Sequence, residues 1–292
     1  MTRRRMFGSC ILFLLVFSPA QEQLDGQQVK TGTAVVILFS HNYIVFAAES
    51  RVVLPGKSIL HRDNACKIRA INNKFIFASA GVNGFEPEPG KAGNAWSAYD
   101  EPGKLIDQLP DMDDPVHGLA ELWGKSLEKH VNRALEVNPA SMMDFLRKEG
   151  GQTLTTGMFA GRTKQGQLVI YKADLNCNCA GNSRRTSLEI LPFPLSPGTG
   201  GGAIGSQEAL DLWDELGKGN SERAQASLHQ LETGDAGRSG PKRLEAIAVS
   251  SLEFILQYSR GGDVGGPVDA VEMTPTGDIH WVQRKANCPD QR

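Results

Sequence analysis

Residues 33–39 are almost wholly apolar and β-branched, Ser40-His41-Asn42 is polar, and residues 43–48 are apolar again. Two such runs around a short polar stretch predict a β-hairpin, and their unbroken apolarity predicts burial on both faces. Residues 67–71 and 74–80 repeat the pattern around Asn72-Asn73, a pair suited to a tight turn. Residues 82–115 are rich in Pro, Gly and Asp without a clear period, which predicts a loop-rich insertion. From 116 to 135 the apolar positions 116, 119, 120, 123, 127, 131, 134 and 135 keep a helical period. Asn138-Pro139 ends that helix, and a second short one is expected over 140–148.

Strands are expected at 157–160 and 167–173, joined around Gln165-Gly166, and at 187–191. Helices are expected at 207–216 and 242–258, the latter with Pro241 in its first turn. Strands at 268–273 and 279–282, turning at Thr276-Gly277, close the chain. Hairpins alternating with helices predict an α+β fold with antiparallel pairing and helices packed outside the strands.

The 292 residues suffice for a large core, and 40% hydrophobic with 22% charged residues is ordinary globular composition. A net charge of -2 gives no reason to expect nucleic acid as a partner. The first twenty residues differ from the rest. Arg3, Arg4 and Arg5 precede an apolar run from Cys10 to Phe17, and Ser18-Pro19-Ala20 supplies small residues before Gln21. This is the pattern of a secretory signal at 1–20, too short for a comfortable membrane span. It predicts export to a periplasmic or extracellular space, with no stable membrane span once the signal is removed; the alternative is an uncleaved anchor. Cys66, Cys177, Cys179 and Cys288 remain after cleavage, and an exported chain could pair them as disulfides. Cys177-Asn178-Cys179 lacks the spacing of a structural zinc pair, and the six histidines are scattered singly. No metal or other cofactor is expected.

Seven short motifs follow one another in order: Gly32-Thr33, Ala47-Ala48-Glu49-Ser50-Arg51, Asn64-Ala65-Cys66-Lys67-Ile68, Ala80-Gly81, Phe159-Ala160-Gly161, Ala203-Ile204-Gly205-Ser206 and Gly265-Gly266-Pro267-Val268-Asp269. Together they resemble the proteasome-type family, the threonine branch of the N-terminal nucleophile hydrolases. The resemblance covers most of the chain from residue 31 to about 282. It implies a four-layer αββα sandwich of two antiparallel sheets flanked by helices. It also implies a domain over 33–284, preceded by a short propeptide at 21–32 and followed by a tail at 285–292.

The resemblance assigns roles to individual residues. Thr33 would be the nucleophile, exposed by cutting the Gly32–Thr33 bond so that its own amine activates its hydroxyl; Thr31 is a second candidate, and a β-branched residue simply opening a strand is the plain alternative. Glu49 stands where the family carries a catalytic aspartate, one methylene longer; a solvated strand end is its alternative reading. Lys67 matches the catalytic lysine, and Gly81 the glycine whose N–H forms the oxyanion hole. Either could instead be structural, Lys67 as a strand-face lysine and Gly81 as a point of close backbone approach. Ser206 matches a serine near the nucleophile and is equally suited to cap the following helix. Asp263 stands one place from the family's orienting aspartate, and Gly265 replaces the serine of its Ser-Gly pair.

These roles imply a threonine-type hydrolase acting on a peptide or protein substrate. A catalytically silent structural or interaction subunit and an amidase of small molecules are the competing readings. Family members assemble into rings, so a homo-oligomer is a further expectation. Gly200-Gly201-Gly202-Ala203-Ile204-Gly205 satisfies G-x-G-x-x-G but follows the proline-rich 191–197 stretch. It lacks the buried strand that a dinucleotide site requires.

Overall fold

The computed structural model describes residues 27–30, 34–40, 43–54, 60–63, 65–87, 95–137, 153–178, 185–193, 195, 199–234, 241–262, 264–286 and 288. Its strands are β1 (Gln27–Lys30), β2 (Ala34–Ser40), β3 (Tyr43–Ala48), β4 (Val52–Leu54), β5 (Leu60–Arg62), β6 (Ile68–Ile71), β7 (Phe75–Gly81), β8 (Gly84–Pro87), β9 (Trp96–Ser97), β10 (Thr153–Arg162), β11 (Leu168–Asn178), β12 (Arg185–Pro192), β13 (Gly200–Gly205), β14 (Asp269–Met273) and β15 (Ile279–Gln283). The helices are α1 (Glu101–Leu105), α2 (Pro115–Val137), α3 (Gln207–Lys218), α4 (Glu222–Gly234) and α5 (Pro241–Tyr258).

Ten of the strands form two five-stranded antiparallel sheets, ordered β13-β2-β3-β14-β15 and β12-β11-β10-β7-β6. The alternation of side chains along β2 shows how they stack. Val35 and Ile37 join Phe46, Ile76, Ala78, Met158 and Ile170 in the core between the sheets. Ala34, Val36 and Leu38 point the other way, onto Leu212 of α3 and Leu244, Ala248 and Leu252 of α5. The second sheet does the same: Phe77, Phe159 and Leu175 meet Leu119, Trp123 and Leu127 of α2. The result is the α+β, four-layer αββα sandwich expected of the sequence. The unbroken apolarity of the runs 34–39 and 43–48 has its reason here, because a strand between a sheet and a helix layer has no wet face.

Residues 82–115 carry more structure than their composition suggests. β8, β9, α1 and a 3-10 turn at Ile106–Gln108 lie within them. β8 is the middle strand of a small sheet, β1-β8-β9. Phe85, Trp96, Ala98 and Leu105 are buried against α2, and the Trp123 indole N–H donates to Ala98 O at 3.1 Å. Elements of two to five residues are too short to display a period, so composition alone reads them as loop.

Four other elements escape periodicity. β4 and β5 form a short hairpin, α4 follows α3 directly, and the glycine run 200–205 is strand β13, paired with β2 from Gly200↔Phe39 to Gly205↔Ala34. The glycines are a packing requirement. A Cβ on Gly200 would overlap the Phe39 ring, one on Gly201 the Leu38 side chain, and one on Gly202 would sit 2.8 Å from Phe193. β12 ends at Pro192 and is the outer strand of its sheet, where proline is tolerated. The helix expected over 140–148, the signal at 1–20 and most of 21–32 lie outside the described residues.

Candidate active site at the open end of β2

β2 and β3 pair antiparallel up to Val35↔Ala48. Glu49 therefore emerges beside Ala34, the residue that follows Thr33. Thr33 itself, like Thr31 and Gly32, lies outside the described residues. Glu49 N donates to Ala34 O at 3.3 Å, and Ala34 N donates back to Glu49 Oε1 at 3.0 Å. The other carboxylate oxygen, Oε2, accepts from Arg51 N at 2.5 Å and Gly265 N at 3.1 Å. Glu49 is 0% exposed, so it is no solvated strand end. Its carboxylate ties three segments together: the start of β2, its own turn, and the loop before β14.

Lys67 precedes β6 and is also buried, at 4% exposure. It is no strand-face lysine in water. Burial pushes its ammonium down to about 8, the Glu49 charge opposes that, and the positive charge of Lys285 adds to it. Burial pushes the Glu49 carboxyl up, against the pull of Lys67 and the three N–H donors. Two groups with affinities moved toward each other can exchange a proton at modest cost, the property asked of a general base and its partner.

The 262–266 loop is locked onto this site. Arg51 makes a bidentate pair with Asp63, at 2.7 and 2.8 Å. Its remaining terminal nitrogen donates to Gly262 O and Val264 O, each at 3.2 Å. Ser50 and Arg51 backbone N–H groups both donate to Gly265 O, and Ser50 Oγ donates to Pro267 O. A Cβ on Gly265 would overlap the Arg51 guanidinium, which four hydrogen bonds hold in place. Gly266 has φ +79, and a Cβ there would lie 2.9 Å from Ser50 Oγ. The glycine at 265, where the resemblance expects serine, is thus the residue that fits an arginine in this position. Asp263 lies outside the described residues.

Gly81 ends β7, opposite Thr155 of β10. Its φ is +94 and a Cβ would overlap the Leu154 carbonyl oxygen, so only glycine fits. It lines a pocket of about 200 Å³ with Ala80, Thr155, Thr156, Ile204 and Gly205. Gly205 pairs with Ala34, so the pocket opens at the same end of β2 that Glu49 grips. Ser206 follows Gly205 and caps α3, accepting from Ala209 N at 3.4 Å. Its hydroxyl is therefore engaged by the helix.

Of the residues named from sequence, the fold gathers Lys67 and the 264–266 loop around Glu49, beside Ala34, with Gly81 on the neighbouring pocket and Ser206 at the cap of α3. Sequence reasoning passes over Arg51 as a clamp and over the buried pair Asp269–Lys285, 2.6 Å apart. Asp269 ends a recognised motif, but no local pattern marks Lys285. Among the described residues no group of His, Cys, Asp and Glu has the arrangement of a metal site, and no helix is long and apolar enough to cross a membrane. No protein-family model matches this chain, and no curated protein matches it.

Proposed function

We propose that this chain is a threonine-type N-terminal nucleophile hydrolase that cuts amide bonds in peptides. The observation that carries the reading is the buried Glu49 carboxylate, bonded to the N–H of Ala34 and electrostatically coupled to buried Lys67. A buried acid and lysine at the residue after Thr33 are an expensive arrangement without a task.

In this reading the Gly32–Thr33 bond is cut first. The freed Thr33 amine accepts the proton of its own hydroxyl as Oγ attacks the substrate carbonyl. The Gly81 N–H stabilises the oxyanion, and the protonated amine returns the proton to the leaving nitrogen. Water then hydrolyses the ester, again with the amine as base. Lys67 lowers the cost of the alkoxide developing on Thr33, and Glu49 holds Lys67 and the start of β2 in register. A substrate side chain or short peptide suits the 200 Å³ pocket beside Gly81. No cofactor enters these steps. The Cys66–Cys288 disulfide supports the export read from the first twenty residues.

One observation favours a second reading. Glu49 already satisfies three backbone N–H groups from separate segments, a structural task that a catalytically silent subunit would also need. N-terminal sequencing of the purified protein, with a fluorogenic peptide-amide assay, separates the two. The hydrolase reading expects a mature chain beginning at Thr33, and expects Thr33→Ala to abolish turnover by at least about 10³-fold. A wild-type protein beginning at Gln21 alone, or a fully active Thr33→Ala, refutes it. Turnover of small amides with no peptide cleavage assigns the site to the amidase class.

A further inference from the structure

After β15 the chain turns back toward the site. Lys285 N donates to Asp269 Oδ1 at 2.8 Å, and Lys285 Nζ lies 2.6 Å from Asp269 Oδ2. The same Nζ donates to Ala65 O at 2.6 Å. Cys288 N donates to Lys285 O at 3.1 Å, closing a turn that sets Cys288 Sγ 3.6 Å from Asp269 Oδ2. Cys288 is then joined to Cys66 by a disulfide that spans 222 residues of sequence. Ala65 and Cys66 are the two residues before Lys67, and Asp269 pairs with Ala48, the residue before Glu49. The turn therefore grips both segments that carry the acid–lysine pair.

We propose that Lys285 and Cys288 form a positioning arm of the active site: Lys285, anchored by Asp269 and the Cys66–Cys288 disulfide, holds the Lys67 segment in place. Lys285 touches no reacting atom in this role; it acts through Lys67. Four buried charged groups meet here, Glu49 after β3, Lys67 before β6, Asp269 on β14 and Lys285 after β15, two of each sign. Of the other cations on these segments, Arg51 is engaged by Asp63, and Arg284 donates to Cys288 O and lies over the Trp281 ring. Burial is the main reason Lys67 is pushed down; the Glu49 charge opposes it, and the second ammonium at Lys285 acts in the same direction as burial. The proposed chemistry uses the charge of Lys67 at the developing alkoxide, so what sets its protonation matters to the reaction; in that respect the arm rests on the hydrolase reading.

The test follows the Lys67 titration by NMR of the lysine side chains in the full chain, with Lys67→Arg supplying the assignment. Lys285→Met is expected to move the Lys67 midpoint upward from about 8. Lys285→Arg, which keeps the charge, is expected to leave it in place. If Lys285→Met fails to fold because Asp269 is left buried and alone, the paired Asp269→Asn/Lys285→Met variant removes both charges and is expected to show the same upward move. A Lys67 midpoint at the wild-type pH in Lys285→Met or in the paired variant overturns the inference, and so does an equal move in Lys285→Arg. This readout needs no turnover. An active Thr33→Ala with a Lys285-dependent Lys67 refutes the hydrolase reading alone, and an inactive Thr33→Ala with an indifferent Lys67 refutes the arm alone.

Discussion

Glu49 shows how much one side chain can be asked to do. Its carboxylate replaces water with three backbone N–H donors and a lysine, so its burial is compensated at each oxygen. The same neighbourhood dictates Gly265. Arg51 fills the volume a side chain would need, and its four bonds to Asp63, Gly262 and Val264 prevent it from yielding. Gly265→Ser would therefore restore a family-like residue at the expense of the clamp. We expect it to lower stability by about 1–3 kcal/mol and, under the proposed hydrolase function, to reduce peptide-amide cleavage rather than enhance it. Equilibrium unfolding in urea measures the first and the peptide-amide assay the second; an unchanged midpoint would show that the guanidinium moves aside at little cost. The acid and the lysine are legible in sequence because each sits in a short motif. The clamp is not, because Arg51 meets the loop at 262–265 only after more than two hundred residues of chain have folded.

At the scale of elements, periodicity works where an element is long and has two unlike faces. α2 at Pro115–Val137 and α5 at Pro241–Tyr258 match their apolar stripes closely. It fails for β13, where Gly200, Gly201 and Gly202 remove the side chains on which a strand signal depends. Those glycines let β13 lie against Phe39, Leu38 and Phe193, and so bring Gly205 to Ala34 at the pocket. A β-branched residue would raise intrinsic strand preference here and still harm the protein. Gly201→Val is expected to cost about 1–3 kcal/mol and to open the pocket. Loss of hydrogen-exchange protection in β13 with β3 and β14 unaffected is the outcome expected; uniform protection across the sheet would contradict it. β8 and β9 are missed for a different reason, since four and two residues are shorter than any period can report.

Across the whole molecule, the Cys66–Cys288 bond ties the end of the chain to the site through a closed loop of 222 residues. Loop closure of that length removes much denatured-state entropy, so selective reduction is expected to lower stability by about 2–5 kcal/mol. Thermal unfolding with and without dithiothreitol measures this, and the same comparison on Cys288→Ser separates the Cys66–Cys288 bond from the disulfide that Cys177 makes. A wild-type midpoint that the reductant leaves unchanged would mean that the noncovalent contacts of Lys285 suffice to hold the arm.

The long strands and helices and the burial of the two apolar runs, 34–39 and 43–48, were decided by the sequence itself, because local apolar patterning selects them. The αββα layering is what the resemblance to the proteasome-type family implies. The positions of Glu49, Lys67 and Gly81 were also legible, each from a few adjacent residues. Whether those groups are buried, what they bond and how their protons are held was decided only by tertiary structure. Burial and charge coupling depend on partners such as Gly265 and Lys285, more than two hundred residues away in sequence. Electrostatic energies of that kind are set by distance through space, which no pattern along the chain records.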